Sequence, residues 1–311
     1  MIPYLDEFLL SLQSNNYSPE TIYNYERDLK VFEQFLDEAE IDFYKVDKKT
    51  IVYYKAYLSS QDRKTAAQVT PDKQQLASRS INRMLSAVRS FLKYLVEVDH
   101  PCPIPPEAVK MVKTERKHPQ VAELDALVKL IEAPEHLESN PKVALRNRAM
   151  LEVLFATGMR ISELRSLNRE QIDDTGRIFI MGKGKKQRFV YLTPRARECV
   201  ERYLESRTDS SPALFIPYAG RNVASSKRRI SVNYLQERIK RYREILKINL
   251  PTSAHSLRHG FATYLAEQGA NPAAIQILLG HESLATTTRY VHASDKYAEE
   301  THRKYHPLKS N

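Results

Sequence analysis

The chain has 311 residues, of which 42% are hydrophobic and 28% charged, a composition typical of a globular protein and not of a disordered one. This length is sufficient for two domains that each bury a core. The formal net charge of +10 is unevenly placed: residues 1–115 carry 15 basic and 17 acidic side chains (−2), and residues 116–311 carry 33 and 21 (+12). A polyanion such as nucleic acid would suit the second part, although ordinary basic proteins also carry such a charge.

The sequence shows no sign of export or of a membrane segment. Its first ten residues, MIPYLDEFLL, have no basic stretch before the apolar residues and no small-residue cleavage site. No apolar run approaches the roughly 20 residues that a membrane helix needs. Cys102 and Cys199 lie far apart and match no zinc spacing, so we expect reduced thiols and a cytoplasmic location.

Residues 1–107 predict a helical N-terminal domain, since all eight glycines lie beyond residue 150. Apolar spacing and capping residues predict helices at 2–13, from Ser18-Pro19 onward, from Asp47 to about residue 58, and at 78–98. The polar stretch 60–77 is predicted to be a loop. The proline-rich segment 100–106 is predicted to be stiff and extended, and we place a linker at 108–117.

The fourth predicted helix carries two basic pairs with i,i+4 spacing. Arg79 pairs in this way with Arg83, and Arg89 with Lys93. A solvated basic face is the commoner explanation of such a pattern. The alternative is a helix that lies against DNA, and both interpretations stay open.

Residues 118–311 predict a second, mostly helical domain with a small antiparallel sheet. Two β-rich runs, 177–181 and 187–192, flank Gly182-Lys-Gly-Lys-Lys186, which predicts two strands joined by a lysine-rich turn. Gly269 and Gly280 are placed as C-terminal helix caps. The apolar periodicity predicts helices near 121–132, 141–156, 194–207, 231–247, 256–268 and 272–279.

Four motifs in this domain carry residues suited to chemistry. They are Ala156-Thr-Gly-Met-Arg-Ile-Ser-Glu-Leu164, Gly182-Lys-Gly184, His255-Ser-Leu-Arg-His-Gly-Phe-Ala-Thr263 and Leu278-Leu-Gly-His-Glu-Ser-Leu-Ala-Thr-Thr-Thr-Arg-Tyr290. Taken singly, their residues have ordinary explanations: Arg160 as surface charge, His281 as the start of a helix, and Tyr290 as one of 18 tyrosines. His255 and His259 have a zinc-ligand spacing, but the glutamate of a zinc protease helix does not stand between them.

Together the motifs fit phosphoryl transfer to a tyrosine. That reaction needs cations on the non-bridging phosphate oxygens, an acid for the leaving oxygen, and a phenol in line with it. Two arginines can clamp the oxygens, and a lysine or a histidine can move protons. A phenol has a pKa of about 10, so it needs such help at neutral pH.

The four motifs in this order resemble the tyrosine recombinase (phage integrase) family, and within it the Xer recombinases. The resemblance covers the whole chain, with a helical SAM-like core-binding domain, a linker and a catalytic domain. By this resemblance Arg160 and Arg258 are the phosphate-clamping arginines, Lys183 protonates the leaving 5′ oxygen, His255 and His281 are the active-site histidines, and Tyr290 is the nucleophile. Glu163 matches an acidic supporting position, and His259 matches a position that is more often structural. Lys185 joins Arg79, Arg83, Arg89 and Lys93 as a candidate DNA-binding residue.

The resemblance also implies a mechanism and partners. Tyr290 attacks the scissile phosphate, a 3′-phosphotyrosyl bond forms, and a 5′ hydroxyl from the partner duplex reverses the step. The bond energy is kept, so neither ATP, a metal nor another cofactor is expected. The partner is a double-stranded recombination site. Four protomers, of this chain alone or with a paralogous recombinase, act on two sites through a Holliday junction.

Several functions remain open at this point. Xer-type resolution of chromosome or plasmid dimers comes first, and integration of a phage or mobile element is the alternative. A type IB topoisomerase uses similar chemistry, but the HxxRH and LLGH strings fit recombinases better. A DNA-binding relative without activity is disfavoured because all six active-site residue types are present. The long polar stretch 60–77 departs from the Xer pattern and leaves the subfamily open.

We predict that a 5′-bridging phosphorothiolate in the DNA restores cleavage by Lys183→Ala, because a thiolate leaves without a proton. Cleavage is measured in a single turnover on the sulfur and oxygen substrates. Lys185→Ala, from the same turn, is the matched control and should show no such rescue. Rescue of Lys185→Ala in place of Lys183→Ala would transfer the role of acid to Lys185.

Overall fold

The computed structural model describes residues 2–60, 76–114, 122–181, 187–224, 228–249 and 252–280. The chain divides into two compact units, Met1–Lys117 and His118–Asn311. None of the described helices is long and apolar enough to cross a membrane.

The described part of the first unit is helical, as predicted. Its helices are α1 (Leu5–Ser14), α2 (Pro19–Glu38), α3 (Lys48–Ser59) and α4 (Ser78–Glu97), with short 3₁₀ turns at Phe43–Lys45 and Pro106–Ala108. The predicted loop 60–77 falls largely on residues outside the described ranges.

Side-chain caps start α2 and α3 where the sequence predicts them. The Ser18 hydroxyl accepts the Thr21 backbone N–H at 3.2 Å. Asp47 and Thr50 form a reciprocal capping box, in which the Thr50 N–H donates to Asp47 at 2.7 Å and the Asp47 N–H donates to Thr50 at 3.2 Å. Each bond satisfies a backbone donor that the first helical turn leaves without a partner.

Helix α4 lies at the centre of the first core. Its apolar residues Ile81, Leu85, Val88, Leu92 and Leu95 are buried, Met84 is half-buried, and the helix packs against α1, α2 and α3. Fully burying each large apolar side chain contributes roughly 1.5–3 kcal/mol. The opposite face of α4 is polar, which leaves its basic residues at the surface.

The chain after α4 packs back onto the same unit. Ile104 and Val109 are buried in the first core. The Asn82 side chain of α4 donates to the Val112 carbonyl at 3.0 Å and accepts the Val112 N–H at 2.8 Å. The predicted linker 108–117 therefore begins within a segment that is packed against the first unit.

The described part of the second unit is mainly helical with a small sheet, which confirms the predicted fold class. Its elements are α5 (Leu124–Leu137), α6 (Pro141–Thr157), α7 (Ile161–Ser166), β1 (Arg177–Met181), β2 (Gln187–Tyr191), α8 (Pro194–Glu205), α9 (Val232–Ile245), α10 (Ala254–Glu267) and α11 (Pro272–Leu279), with 3₁₀ turns at Arg169–Gln171 and Arg221–Val223.

Helix α5 differs from its prediction near 121–132. It begins at Leu124 and continues through Pro134 to Leu137. Proline interrupts a helix because it lacks a backbone N–H, but near the C-terminal end it removes a single bond. The final turn is closed by the Glu138 N–H, which donates to the Pro134 carbonyl at 3.2 Å.

Helix α6 is the central element of the second unit, and it packs against α5, α8 and α10. Even its charged Arg146 is buried, at 2% exposure. This guanidinium donates to the Ile216 carbonyl at 2.9 Å and to the Asn147 amide oxygen at 3.1 Å. Because α6 is surrounded on several sides, the loop that follows it starts from a fixed position.

Strands β1 and β2 form an antiparallel hairpin in which Ile180 lies opposite Arg188 and Phe179 opposite Phe189. Side chains alternate between two faces. The inner face is buried and holds Ile178, Ile180, Arg188 and Val190. The outer face is exposed and holds Phe179, Met181, Phe189 and Tyr191.

One basic residue of α4 is used inside the first unit. Arg83 donates to the carboxylate of Asp28 on α2, which is only 2% exposed and also lies 3.5 Å from Arg27. Burying a carboxylate is costly unless charged hydrogen bonds compensate it. Arg83 therefore stabilises the packing of α4 on α2.

We predict that Arg83→Ala lowers the free energy of unfolding of the first unit by ~1–3 kcal/mol, because it takes a partner from a buried carboxylate. Arg79→Ala, one turn earlier on the same face, removes an exposed charge and is the matched control, with an expected change under ~0.5 kcal/mol. Urea unfolding of the full chain measures both. Equal losses for the two variants would contradict the assigned role of Arg83.

Candidate active site

Gly158 ends α6 and shapes the loop that carries Arg160. Its φ of 60° is left-handed, and an added Cβ would lie 2.3 Å from the Phe261 ring. Both facts require glycine at this position. The chain then turns into α7, with Arg160 as the residue that precedes its first turn.

Glu163 fixes Arg160 in two ways. Its carboxylate accepts the Arg160 backbone N–H at 2.7 Å and the Arg160 Nη1 at 3.0 Å. The Arg160 side chain is 36% exposed, whereas that of Glu163 is 6% exposed. Glu163 thus holds both the backbone and the guanidinium of Arg160, and its supporting role in the reaction stays a prediction.

Arg188 is the other partner of Glu163. Its Nη1 and Nη2 atoms donate to Oε1 and Oε2 at 3.0 and 2.8 Å. Burial alone would raise the pKa of Glu163, but the hydrogen bonds from Arg188 and Arg160 and their positive charges lower it overall. The carboxylate is therefore ionised at neutral pH.

Helix α10 begins two residues before its predicted start at 256. Ser253 caps it by accepting the Ser256 N–H at 3.2 Å, in a reciprocal capping box. His255 consequently lies in the first turn and Arg258 one turn further on. The two side chains share a face, as their spacing predicts.

Arg258 joins two parts of the second unit. Its side chain is buried at 3% exposure. Nη1 donates to the Gly158 carbonyl and Nη2 to the Leu279 carbonyl, both at 2.7 Å. One guanidinium thus ties the loop before Arg160 to the last turn of α11, the helix after which His281 follows in the sequence.

His255 and His259 form a hydrogen-bonded pair. Their Nε2 atoms are 2.8 Å apart and their rings meet edge to face. Burial lowers the pKa of His259 to about 4, assisted by the charges of His255 and Arg258. Burial, Arg258 and Arg160 also lower the pKa of His255. Both rings are therefore neutral at pH 7, and one donates to the other.

The described residues contain no cluster of three histidine, cysteine or acidic side chains placed to hold a metal ion. The zinc spacing of His255 and His259 corresponds in the structure to a direct hydrogen bond between the two rings.

The structure gathers part of the predicted site. Glu163 bonds to Arg160, and Arg258 bonds to the carbonyl of Gly158, two residues before Arg160. The charges of both arginines contribute to the lowered pKa of His255. The remaining predicted residues lie outside the described ranges and stay predictions, namely Lys183, Lys185, His281 and Tyr290.

Sequence reasoning missed Arg188. In the sequence Arg188 is a single charged residue in a β-rich run that also contains Phe189 and Tyr191, and nothing there marks it as functional. Only the pairing of Arg188 with the buried Ile180 shows that it faces inward.

The candidate DNA-binding residues of α4 fall into two groups. Arg79, Arg89 and Lys93 are exposed, and Lys93 lies 3.3 Å from Glu97. Arg83 is paired with Asp28. A DNA-contacting role for this face stays a prediction.

Two family models match the chain. The phage integrase family matches residues 120–297, and the N-terminal SAM-like domain of phage integrases matches residues 5–98. The chain therefore belongs to the phage integrase family of tyrosine recombinases, enzymes that cleave and rejoin DNA.

Its relatives place it more narrowly, among recombinases of the Xer type. It is 35% identical to tyrosine recombinase XerC of Pelobacter propionicus, over 96% of this chain and 94% of that one. It is 30% identical to tyrosine recombinase XerD of Staphylococcus epidermidis, over 97% and 98%.

Solved structures share the fold. The XerH recombinase bound to palindromic difH substrate, in a post-cleavage complex, gives a TM-score of 0.71 at 21% identity, over 96% of this chain and 82% of that one. A lambda integrase tetramer bound to a Holliday junction gives 0.70 at 17%, over 94% and 77%.

We predict that the His259 ring stays neutral at pH 5, since its pKa of about 4 lies below the usual value of about 6.5. The unfolded chain then binds more protons between these two values, so stability falls as the pH is lowered through that window. An NMR titration of the imidazole signals measures the pKa, and the signal that is missing in His259→Gln is the one that belongs to His259. A midpoint for His259 near 6.5 would contradict the buried pair.

Proposed function

We propose that this recombinase resolves chromosome or plasmid dimers, acting through a 3′-phosphotyrosyl intermediate and a Holliday junction. The observation that carries the chemistry is the pair of arginines, Arg160 and Arg258, held around Gly158 by a buried carboxylate and by backbone carbonyls. The support for the Xer role is the match to XerC and XerD over nearly the full length of both chains.

In this mechanism Arg160 and Arg258 stabilise the charge on the non-bridging oxygens of the scissile phosphate. The Tyr290 oxygen attacks phosphorus, and the bond from phosphorus to the 5′ oxygen breaks. Lys183 gives the leaving oxygen its proton. His255 is neutral at pH 7, so it can accept a proton from the phenol side of the reaction. His281 is the remaining hydrogen-bond donor of the proposed site, beside Arg160, Arg258 and Lys183.

The second half of the reaction reverses the first. A 5′ hydroxyl from the partner duplex attacks the phosphotyrosyl bond, and Tyr290 leaves as the phenol. One phosphodiester is exchanged for another, so the proposal requires no ATP and no metal. Four protomers on two DNA sites would exchange the strands in pairs, with this chain alone or with a paralogue.

In this proposed function residues 1–107 bind the core site, residues 108–117 form a linker and residues 118–311 carry out catalysis, in a cytoplasmic protein. The exposed Arg79, Arg89 and Lys93 would follow the DNA backbone, together with Lys185 from the other unit. Each phosphate neutralised in this way releases counterions and makes binding weaker at high salt.

Integration of a mobile element is the second candidate. The fold does not separate the two, because the lambda integrase tetramer matches with a TM-score of 0.70 and the XerH complex with 0.71. Sequencing the genomic DNA that becomes covalently trapped on the protein distinguishes them. A resolvase should trap one chromosomal or plasmid site, whereas an integrase should trap the ends of its element.

We predict that Tyr290→Phe abolishes the covalent DNA adduct and changes DNA binding by only a few fold, because the substitution removes a single hydroxyl group. The assay uses a nicked suicide substrate in excess EDTA and scores the SDS-stable complex. Tyr297→Phe is the matched control and should keep the adduct. An adduct in Tyr290→Phe would overturn this nucleophile, and dependence on a divalent ion would overturn the metal-free chemistry.

A further inference from the structure

We propose that Arg188 is a positioning residue for DNA cleavage. It fixes the carboxylate of Glu163, and through that carboxylate it fixes Arg160. This inference rests on the proposed function, because Arg160 matters to the reaction only if it binds the scissile phosphate.

Arg188 lies on the inner face of the hairpin with 4% of its side chain exposed. A buried guanidinium is costly unless its N–H groups are bonded. Here Nη1 and Nη2 donate to Glu163, and Nε donates to the Leu278 carbonyl at 2.8 Å. The side chain is therefore held from two directions.

The bonds at Glu163 link the two arginines atom by atom. Oε1 accepts Nη1 of Arg188 and Nη1 of Arg160, each at 3.0 Å. Oε2 accepts Nη2 of Arg188 at 2.8 Å and the Arg160 backbone N–H at 2.7 Å. Rotating the carboxylate would break bonds to both residues. The planar fork of Arg188 fixes the plane of the carboxylate, and a single ammonium group cannot do so.

Arg188 also contacts the end of α11. The last carbonyls of a helix have no partner within it, and a positive charge near them is favourable. Arg188 donates a hydrogen bond to the Leu278 carbonyl, and Arg258 donates one to the Leu279 carbonyl. Gly280 follows with φ 63°, and an added Cβ there would lie 3.0 Å from Arg188 Cδ and Nη1. The turn before His281 therefore packs directly on Arg188.

The same unit contains a matched arginine away from the candidate site. Arg207 is also buried, binds Asp209 through Nε and Nη2, and donates to the Ala213 and Leu214 carbonyls. None of those hydrogen bonds involves Arg160 or Arg258. Arg207 therefore controls for the loss of a buried, bidentate arginine as such.

The experiment compares Arg188→Lys with Arg207→Lys in the full chain. Measured are single-turnover cleavage of the suicide substrate at saturating protein, half-site affinity and thermal midpoint. We expect Arg188→Lys to cleave about 10²-fold more slowly, since small misplacement of a positioned group has effects of this order. Its DNA affinity should stay within a few fold. Arg207→Lys should lose comparable stability and cleave near the wild-type rate.

A double-mutant cycle tests the route through Arg160. If Arg188 acts by positioning Arg160, adding Arg188→Lys to Arg160→Ala should cost much less than it costs in the wild type. A purely structural arginine would slow both backgrounds equally, and that result would overturn the inference. Equal cleavage by Arg188→Lys and Arg207→Lys would overturn it as well.

Two further results distinguish a failure of the proposed active site from a failure of the role assigned to Arg188. Undiminished cleavage by Arg160→Ala would overturn the proposed site itself, whatever Arg188 does. Should Arg188→Lys fail to fold, Glu163→Gln removes the shared negative charge with little change in size. It should likewise slow cleavage while leaving half-site affinity intact, and wild-type cleavage by this variant would overturn the inference.

Discussion

The carboxylate of Glu163, ionised and almost fully buried, is the group on which the geometry of the second unit's site depends. It simultaneously accepts hydrogen bonds from the Arg160 backbone N–H, from the Arg160 guanidinium and from Arg188. Arg258 adds a second connection, from the Gly158 carbonyl to the Leu279 carbonyl. Elements far apart in sequence are thereby held by charged hydrogen bonds, which are stronger and more directional than apolar contacts. A reaction that depends on placing cations around a phosphate benefits from such rigidity.

The same pattern changes how the net charge should be understood. The sequence places a balance of +12 in residues 116–311, yet Arg146, Arg188, Arg207 and Arg258 are buried and bonded to carboxylates, amides or carbonyls. In the first unit Arg83 is likewise paired with a buried aspartate. Burial keeps most of each of these second-unit side chains from direct contact with a polyanion, whereas their charge is already counted in the balance of +12. The surface available to a polyanion is therefore smaller than the residue count suggests, and the exposed Arg79, Arg89 and Lys93 are the part of α4 that remains suited to it.

Recombinases and integrases of this family share the fold, so the fold alone does not divide them. In this chain His255 and His259 form a neutral hydrogen-bonded pair on α10, the helix that also carries Arg258. Since burial, assisted by neighbouring positive charges, lowers both pKa values, the pair stays neutral at a pH where an ordinary histidine begins to be protonated.

The sequence by itself determined the family and the position of most helices, although α5 begins and ends later than predicted. Ser18 and Asp47 mark helix starts through local hydrogen bonds, and the apolar stripe of α4 follows from a fixed period, so neither needs the rest of the chain. The order of the four motifs was sufficient to identify the kind of enzyme. Arg160, Arg258 and Glu163 were predicted from those motifs, but their partners were not. Alternation along a strand defines two faces without saying which one is buried. In β2 the aromatic Phe189 and Tyr191 face outward, and the charged Arg188 faces inward. Only the tertiary structure decided this, because the stability of a buried arginine comes from Glu163 and Leu278, which lie 25 and 90 residues away along the chain.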